Sequence, residues 1–261
     1  MNTDDIKELQ WPVGLSLSMG ASGPHVKRVQ EWLALRGYDV GAADGEFGPK
    51  TRGQLSAFQA SSGLPALGVA DGATFARLSK PMADALDAPP PPAGASLGST
   101  CVSLAVRYIT AGARELDEAN LGPWVRLFMR GHEGRSYPWC AGFVWHVVER
   151  AAAATRRQPP FRLSFGCKEM ATSAAAKGRL VRGDDPGPAA GRIAPGCVFV
   201  IPNGDRSSWT HTGFVTAVRG DKVATCEGNT NVAGSREGTH VRSVERPIRK
   251  LDFLLLDGER V

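Results

Sequence analysis

Four consecutive prolines, Pro89-Pro90-Pro91-Pro92, lie about a third of the way along this chain of 261 residues. No helix interior or central strand accommodates such a run, because each proline lacks a backbone N–H and has a fixed φ. The run favours an extended polyproline II rod, about 3.1 Å per residue. Ala-rich sequence precedes it and Ala93-Gly94-Ala95-Ser96 follows, so 81–97 reads as a linker, first semi-rigid and then flexible. The chain is therefore expected to form two units, 1–80 and 98–261.

Composition bounds what those units can be. A hydrophobic content of 42% with 22% charged residues is ordinary for globular proteins and excludes a disordered chain. The longest uncharged apolar stretches, such as 93–105, fall short of the roughly 20 residues that span a bilayer, so no membrane insertion is expected. Met1-Asn2-Thr3-Asp4-Asp5-Ile6-Lys7-Glu8 is acidic and polar where a secretory leader would be basic and then apolar. The expectation is synthesis in the cytoplasm without a signal peptide, any export relying on another route. The net charge of +5 is unevenly placed: eight Lys and Arg face ten Asp and Glu up to Leu97, and twenty-three face sixteen beyond it. The second unit thus attracts anionic polymers without choosing among them. No basic run with interleaved aromatics argues for nucleic acid.

Five cysteines (Cys101, Cys140, Cys167, Cys197, Cys226) include no C-x-x-C pair, and the chain has no H-E-x-x-H. Structural zinc and zincin chemistry are therefore not expected, and no metal or cofactor is called for. An odd count points to reduced thiols, one of them a candidate nucleophile. Cys101 and Cys167 fit apolar helix faces, whereas Cys197 and Cys226 fall on strands and could be neighbours, with or without a disulfide between them.

The first unit reads as three short helices. Val26, Val29, Trp32 and Leu33 follow helical spacing after Ser22-Gly23-Pro24, and Thr51, Leu55 and Phe58 follow it after Gly48-Pro49. A third helix fits 74–78 behind Asp71-Gly72. Between the first two lies Asp44-Gly45-Glu46-Phe47-Gly48-Pro49-Lys50-Thr51, a tight loop with Phe47 as an apolar anchor. The stretch 15–78 resembles the peptidoglycan-binding domain with the signature D-G-x-F-G-x-x-T, present here as Asp44, Gly45, Phe47, Gly48 and Thr51. Asp71-Gly72 reads as the echo of that signature in a second half-repeat. The resemblance implies bacterial peptidoglycan as partner.

In the second unit the informative stretch is Pro138-Trp139-Cys140-Ala141-Gly142-Phe143-Val144-Trp145-His146-Val147-Val148. Phe143, Val144, Val147 and Val148 share a helical face with Cys140, which places the thiol in a first turn opened by Pro138. Helix N-terminal amides favour a thiolate, the nucleophilic form, although a buried structural cysteine fits the same pattern. Of the five histidines, His146 lies about 240° around this helix and faces away. His25 belongs to the first unit, and His132 and His240 sit in polar stretches. His211 lies on a predicted strand, 209–218, sharing one face with Gly213, Val215 and Ala217. A three-residue hairpin loop, Arg219-Gly220-Asp221, would bring Glu227 and Asn229 to the His211 side; a two-residue loop, Gly220-Asp221, would bring Cys226 and Thr230 there instead.

The order of a helix-borne cysteine, a strand histidine and a polar residue on the next strand resembles the CHAP amidohydrolase/peptidase superfamily, relatives of papain. The local sequences around Cys140, His211 and Glu227-Gly228-Asn229-Thr230-Asn231 carry the resemblance, which spans roughly 98–257. It implies Cys140 as nucleophile, His211 as general base, and Glu227 as the residue orienting the histidine, with Asn229 contributing. Pro195-Gly196-Cys197 departs from the family's usual Pro-Gly-Asp, and no Asp-rich segment precedes Cys140, so the calcium site of some relatives is not expected. Trp139 and Trp209, beside the cysteine and the histidine, and Phe47 in the first unit are the candidate substrate contacts.

The expected fold is α+β: a three-helix N-terminal domain, the proline-rich linker, and a papain-like domain of helices on an antiparallel sheet. The expected function is hydrolysis of a peptidoglycan amide, in the stem peptide or at its junction with the muramoyl sugar. A phage endolysin and a secreted antibacterial effector, the latter with an immunity protein, both fit that reading. A thiol protease or deamidase acting on protein, and a noncatalytic wall-binding protein, are the alternatives.

Overall fold

A computed structural model describes residues 7–117, 119–234 and 238–258. The leader reading of Met1 to Ile6 therefore lies outside the described residues. The N-terminal unit contains α1 (Pro24–Leu35), α2 (Pro49–Ser61) and α3 (Gly72–Leu86). Pro24 and Pro49 begin their helices, where a missing N–H costs nothing, and Asp71 caps α3 by accepting from the Thr74 N–H at 2.8 Å.

Two buried glutamines organise this unit as a pair of half-repeats. Gln30 accepts from the Gly45 N–H at 2.8 Å and donates to Asp44 Oδ1, the Glu46 carbonyl and Thr51 Oγ1 at 2.9, 3.0 and 3.2 Å. Gln59 does the same one repeat later, accepting from Gly68 at 2.9 Å and donating to the Val69 carbonyl and Thr74 Oγ1 at 2.8 and 3.1 Å. The signature is thus a loop closed around an amide, with its threonine as one of the glutamine's partners. The second half-repeat matches Gly68 to Gly45 and Thr74 to Thr51. Asp71-Gly72 therefore falls opposite Gly48-Pro49, at a helix start, and is not the echo of Asp44-Gly45 that the dipeptide suggests.

The third helix is also longer than 74–78. It runs through Pro81, so 81–86 of the stretch read as linker are helical. Proline interrupts a helix by removing one hydrogen bond, but α3 continues because Met82, Ala85 and Leu86 are buried beyond it. Its last carbonyls are also satisfied from the other unit. Arg107 donates to the carbonyls of Asp84, Ala85 and Asp87, and Arg150 to that of Leu86 at 2.5 Å.

The C-terminal unit packs α4 (Leu97–Thr110), α5 (Pro123–Phe128), α6 (Cys140–Thr155) and α7 (Cys167–Ala176) against a six-stranded antiparallel sheet in the order β1-β6-β2-β3-β4-β5. The strands are β1 (Leu180–Arg182), β2 (Val198–Pro202), β3 (Trp209–Arg219), β4 (Lys222–Thr230), β5 (His240–Pro247) and β6 (Asp252–Leu254). Val198, Val200, Phe214 and Cys226 face the helices, and Phe199, Val215, Val223 and Phe253 form a smaller cluster on the other face. All five cysteines are free. Cys226 belongs to the helix side and Cys197 to the other, so the two are not partners across the sheet.

The two units share one apolar core, with Trp32 of α1 meeting Trp124 of α5 edge-on at 6.0 Å. Beside it Arg126 is held by Glu8, Glu31 and Glu133 at 2.8, 2.7 and 2.8 Å, with little of the cluster exposed. Burial works against the guanidinium, and the surrounding carboxylates outweigh it and raise its pKa. The units are docked by packed rings and a paired charge, in contrast to the flexible tether expected from Ala93-Gly94-Ala95-Ser96. No described helix is long and apolar enough to cross a membrane.

Candidate active site

Helix α6 begins at Cys140 and lies across β3 and β4, with the Phe143 ring 6.1 Å from Phe214. Gly228 makes this approach possible, since a Cβ there would stand 2.8 Å from Phe143 Cβ and 2.9 Å from the Trp139 ring. The thiol is 4% exposed, and His211 and Glu227 are fully buried.

The pairing that brings these groups together combines both loops considered from the sequence. The hairpin turns on two residues, Gly220-Asp221, pairing Arg219 with Lys222 and Val218 with Val223. That is the register expected to turn Glu227 away. One extra residue, Thr216, bulges out between Val215 and Ala217, and beyond it Val215 pairs with Thr225 and Phe214 with Cys226. The bulge reverses the faces a second time and returns Glu227 to the His211 side. Gly213 lies between them, where a Cβ would come within 3.1 Å of Glu227 Cγ and 2.8 Å of the Phe199 ring.

His211 Nε2 donates to Glu227 Oε2 at 2.9 Å, which fixes the ring and leaves Nδ1 without a hydrogen-bonding partner. Burial opposes the imidazolium, but Cys140 and Glu227 outweigh it and raise the His211 pKa to about 9. The Glu227 carboxylate is saturated: besides His211 it accepts from Arg246 Nε and Nη2 at 2.6 and 2.5 Å and from Thr225 Oγ1 at 2.5 Å. Against the cost of burial, Arg246 and then His211 hold its pKa at about 2. It therefore stays ionised and serves as a fixed anion behind the imidazole. Cys140 is held well below the usual thiol range, first by Cys167 and then, against burial, by His211 and the Ala141 amide.

Cys167 is the unexpected neighbour. It opens α7, and its Sγ lies 4.0 Å from Cys140 Sγ. Cys140 and burial both push its pKa up, so the Cys167 thiol keeps its proton and points a weak donor at the thiolate. Nothing in the local sequence announces this contact, because a cysteine after Gly166 on an apolar helix face looks structural. Arg246 left a fainter trace: Arg242, Val244 and Arg246 alternate along β5, placing cations beside a strand that carries a buried glutamate.

The remaining candidates divide. Asn229 makes no hydrogen bond to His211. A bulge between Glu227 and Thr230 puts it in the left-handed region, φ 54°, where it accepts from the Trp139 N–H at 3.3 Å and donates to the Gly238 carbonyl. It braces the start of α6. Trp139 and Phe47 are 0% and 2% exposed and do not form a substrate surface. Trp139 stacks on Phe128 at 5.5 Å and donates Nε1 to Glu115 at 2.7 Å, while Phe47 belongs to the N-terminal core. Trp209 keeps some exposed surface, its Nε1 donating to Asp252 at 2.9 Å. His146 turns away from Cys140, as its helical position requires, and its Nε2 meets the Tyr108 hydroxyl at 2.6 Å. Among the described residues no cluster suited to a metal ion occurs.

A thiol at a helix N-terminus, an imidazole on the facing strand and an ionised carboxylate behind it are the groups that thiol-based nucleophilic catalysis requires. Two families match the chain: the peptidoglycan-binding domain over 22–78 and the CHAP domain over 132–229. The chain thus joins a peptidoglycan-binding domain to a CHAP domain, a pairing that supports a peptidoglycan hydrolase. It is also similar to the crystal structure of the SleB N-terminal domain, at 37% identity over 26% of this chain and 93% of that one, with a TM-score of 0.25. No curated protein matches.

Proposed function

We propose that this protein hydrolyses an amide bond of peptidoglycan, in the stem peptide or at the muramoyl–alanine junction, through Cys140. The observation that carries the reading is the buried series Cys140, His211, Glu227, in which the carboxylate holds the imidazole at 2.9 Å and the thiol and the imidazole act on each other's charge, on a chain that also carries a peptidoglycan-binding domain. The thiolate attacks the carbonyl carbon and forms the C–S bond, with the oxyanion held by helix N-terminal amides such as that of Cys140. The His211 imidazolium then gives its proton to the leaving amine as the C–N bond breaks. Water, deprotonated by the now neutral imidazole, resolves the thioester and restores the thiolate. Glu227 keeps the imidazole oriented and favours its charged form, and Arg246 keeps Glu227 ionised.

The domain limits we propose follow the helices: wall binding ends with α3 at Leu86, catalysis begins with α4 at Leu97, and the proline run lies between them. A cavity of about 450 Å³ lined by Arg36, Tyr38, Phe58, Arg77, Lys80 and Asp84 supports contact with carboxylate-bearing wall polymer, since Asp84 pairs with Lys80 at 2.6 Å and leaves Arg36 and Arg77 to meet an anion. The biological role we propose is that of an endolysin released at lysis or an injected effector with an immunity partner, acting on the wall after synthesis in the cytoplasm.

Purified protein should clear isolated sacculi, and Cys140→Ala should lower the rate by about 10⁴-fold or more while leaving the melting temperature near that of the wild type. Mass spectrometry of the digest separates the bonds: stems freed from sugar identify an amidase, and shortened or uncrosslinked stems an endopeptidase. Full activity in Cys140→Ala would overturn the reading.

A further inference from the structure

We propose that Cys140 and Cys167 form an oxidisable dithiol, in which a hydroperoxide converts the nucleophile to a reversible disulfide. Two free thiols stand 4.0 Å apart, each at the first residue of its helix, α6 and α7. A disulfide needs about 2.05 Å between sulfurs, so each must move by roughly 1 Å, which small side-chain rotations can supply. The two helix N-termini bring their amides to the same point and favour negative charge on sulfur during exchange.

The step balances with peroxide as the oxidant. The Cys140 thiolate attacks a peroxide oxygen, the S–O bond forms and the O–O bond breaks, and the departing hydroxide takes the His211 proton as water. Cys167 then loses its proton and attacks the sulfenic sulfur. The S–S bond forms, the S–O bond breaks, and hydroxide leaves with that proton as a second water. Two electrons pass from the paired sulfurs to the peroxide, and an added dithiol returns them. Cys167 is suited to the second attack because its sulfur already stands 4.0 Å from the first, so no other thiol has to diffuse in. Cys101, Cys197 and Cys226 are buried thiols whose pKa values burial pushes up, so they neither compete for peroxide nor offer a nearer partner.

The covalent change is read by mass and so does not depend on which bond the enzyme cuts, or on whether it cuts peptidoglycan at all. Full-length protein treated with hydrogen peroxide at a low molar excess should lose two hydrogens in intact mass, with the loss mapped by proteolysis to a peptide pair joining Cys140 and Cys167. Dithiothreitol should restore the mass, together with most of the starting rate of sacculus clearing. Cys167→Ser and Cys167→Ala, each compared with its own untreated rate, should instead gain two oxygens at Cys140 and fail to recover on reduction, because the sulfenic acid has no resolving thiol. The proposal is overturned if the wild type reaches the same sulfinic product without a disulfide, if the bridge maps to another pair, or if the Cys167 variants recover as fully as the wild type.

Discussion

Each unit of this protein is built around buried polar side chains whose hydrogen-bonding positions are filled, yet the two units use different chemistry. In the N-terminal unit Gln30 and Gln59 are neutral amides closing loops within about twenty residues of themselves. In the C-terminal unit Glu227 is a buried anion tying together Thr225, His211 and Arg246, and through His211 it acts on Cys140. A neutral amide satisfied on all sides fixes a shape and is silent to pH. A buried carboxylate satisfied only by cations and hydroxyls fixes a shape and also sets the charge of its neighbours. The contrast separates a surface built to hold from a site built to react.

A third cluster joins the two, and breaking it has the largest expected effect on stability. Arg126→Ala leaves Glu31 buried beside Glu8 and Glu133, offset by Lys27, 3.7 Å from Glu31 and from Glu133, and by Arg28, which acts on Glu8 and Glu31 without pairing directly to Glu31. Removing one partner of a buried ionic cluster costs about 3–5 kcal/mol. We expect the variant to melt in two separate transitions where the wild type melts in one, with the active-site unit's own transition little changed. A single transition at the wild-type temperature in differential scanning calorimetry would show that the packed rings alone dock the units.

Next in size is the loss of the anion at the centre of the reactive site. Glu227→Gln keeps the shape but removes the charge that favours the imidazolium, and leaves Arg246 repelling it. With Glu227 in place the His211 pKa is about 9, so the protonated imidazole that serves the leaving amine in the proposed reaction is lost as pH rises through about 9. The alkaline limb of kcat/KM should lie there in the wild type. In the variant the charged form is less favoured, the limb should move to lower pH, and the rate at its optimum should fall by about 10²-fold, the scale of positioned proton transfer. An unmoved limb would mean that the carboxylate orients the ring without tuning it.

The same contrast explains what could be read in the chain before folding. The N-terminal loop, the helix starts at Pro24 and Pro49, and the first turn holding Cys140 are local patterns, legible because cause and effect lie within one helical turn or one loop. His211 and Glu227 were legible through strand alternation, but their register rested on two features that cancel, a two-residue turn and a bulge at Thr216. Neither leaves a periodic trace. Cys167 and Arg246 were missed because their partners lie 27 and 19 residues away on other elements, and a helical face or a strand alternation does not say which residue it will meet. The length of α3 was misjudged because Pro81 reads as a stop, while the arginines that satisfy its last carbonyls come from residues 107 and 150.

The smallest effect tests the neutral half of the comparison. Gln30→Ala removes the acceptor for the Gly45 N–H and the donor for Asp44, the Glu46 carbonyl and Thr51. Asp44 retains the Glu46 N–H at 2.9 Å, so the loss falls mainly on the buried Gly45 N–H and the Thr51 hydroxyl. Leaving such groups unsatisfied costs about 1–3 kcal/mol. Gln59→Ala should cost a similar amount through Gly68 and Thr74 if the two half-repeats are energetically as well as geometrically alike. Because neither amide carries charge, the destabilisation measured by urea titration should be the same at pH 5 and pH 9, and the rate on a soluble stem peptide should stay at the wild-type value. A cost that shrinks below about pH 4 would show that Asp44, whose carboxylate the Glu46 amide and then the glutamine stabilise below its ordinary pKa, gives this loop a titrating element of its own. The clean division between a holding unit and a reacting unit would then fail at that residue.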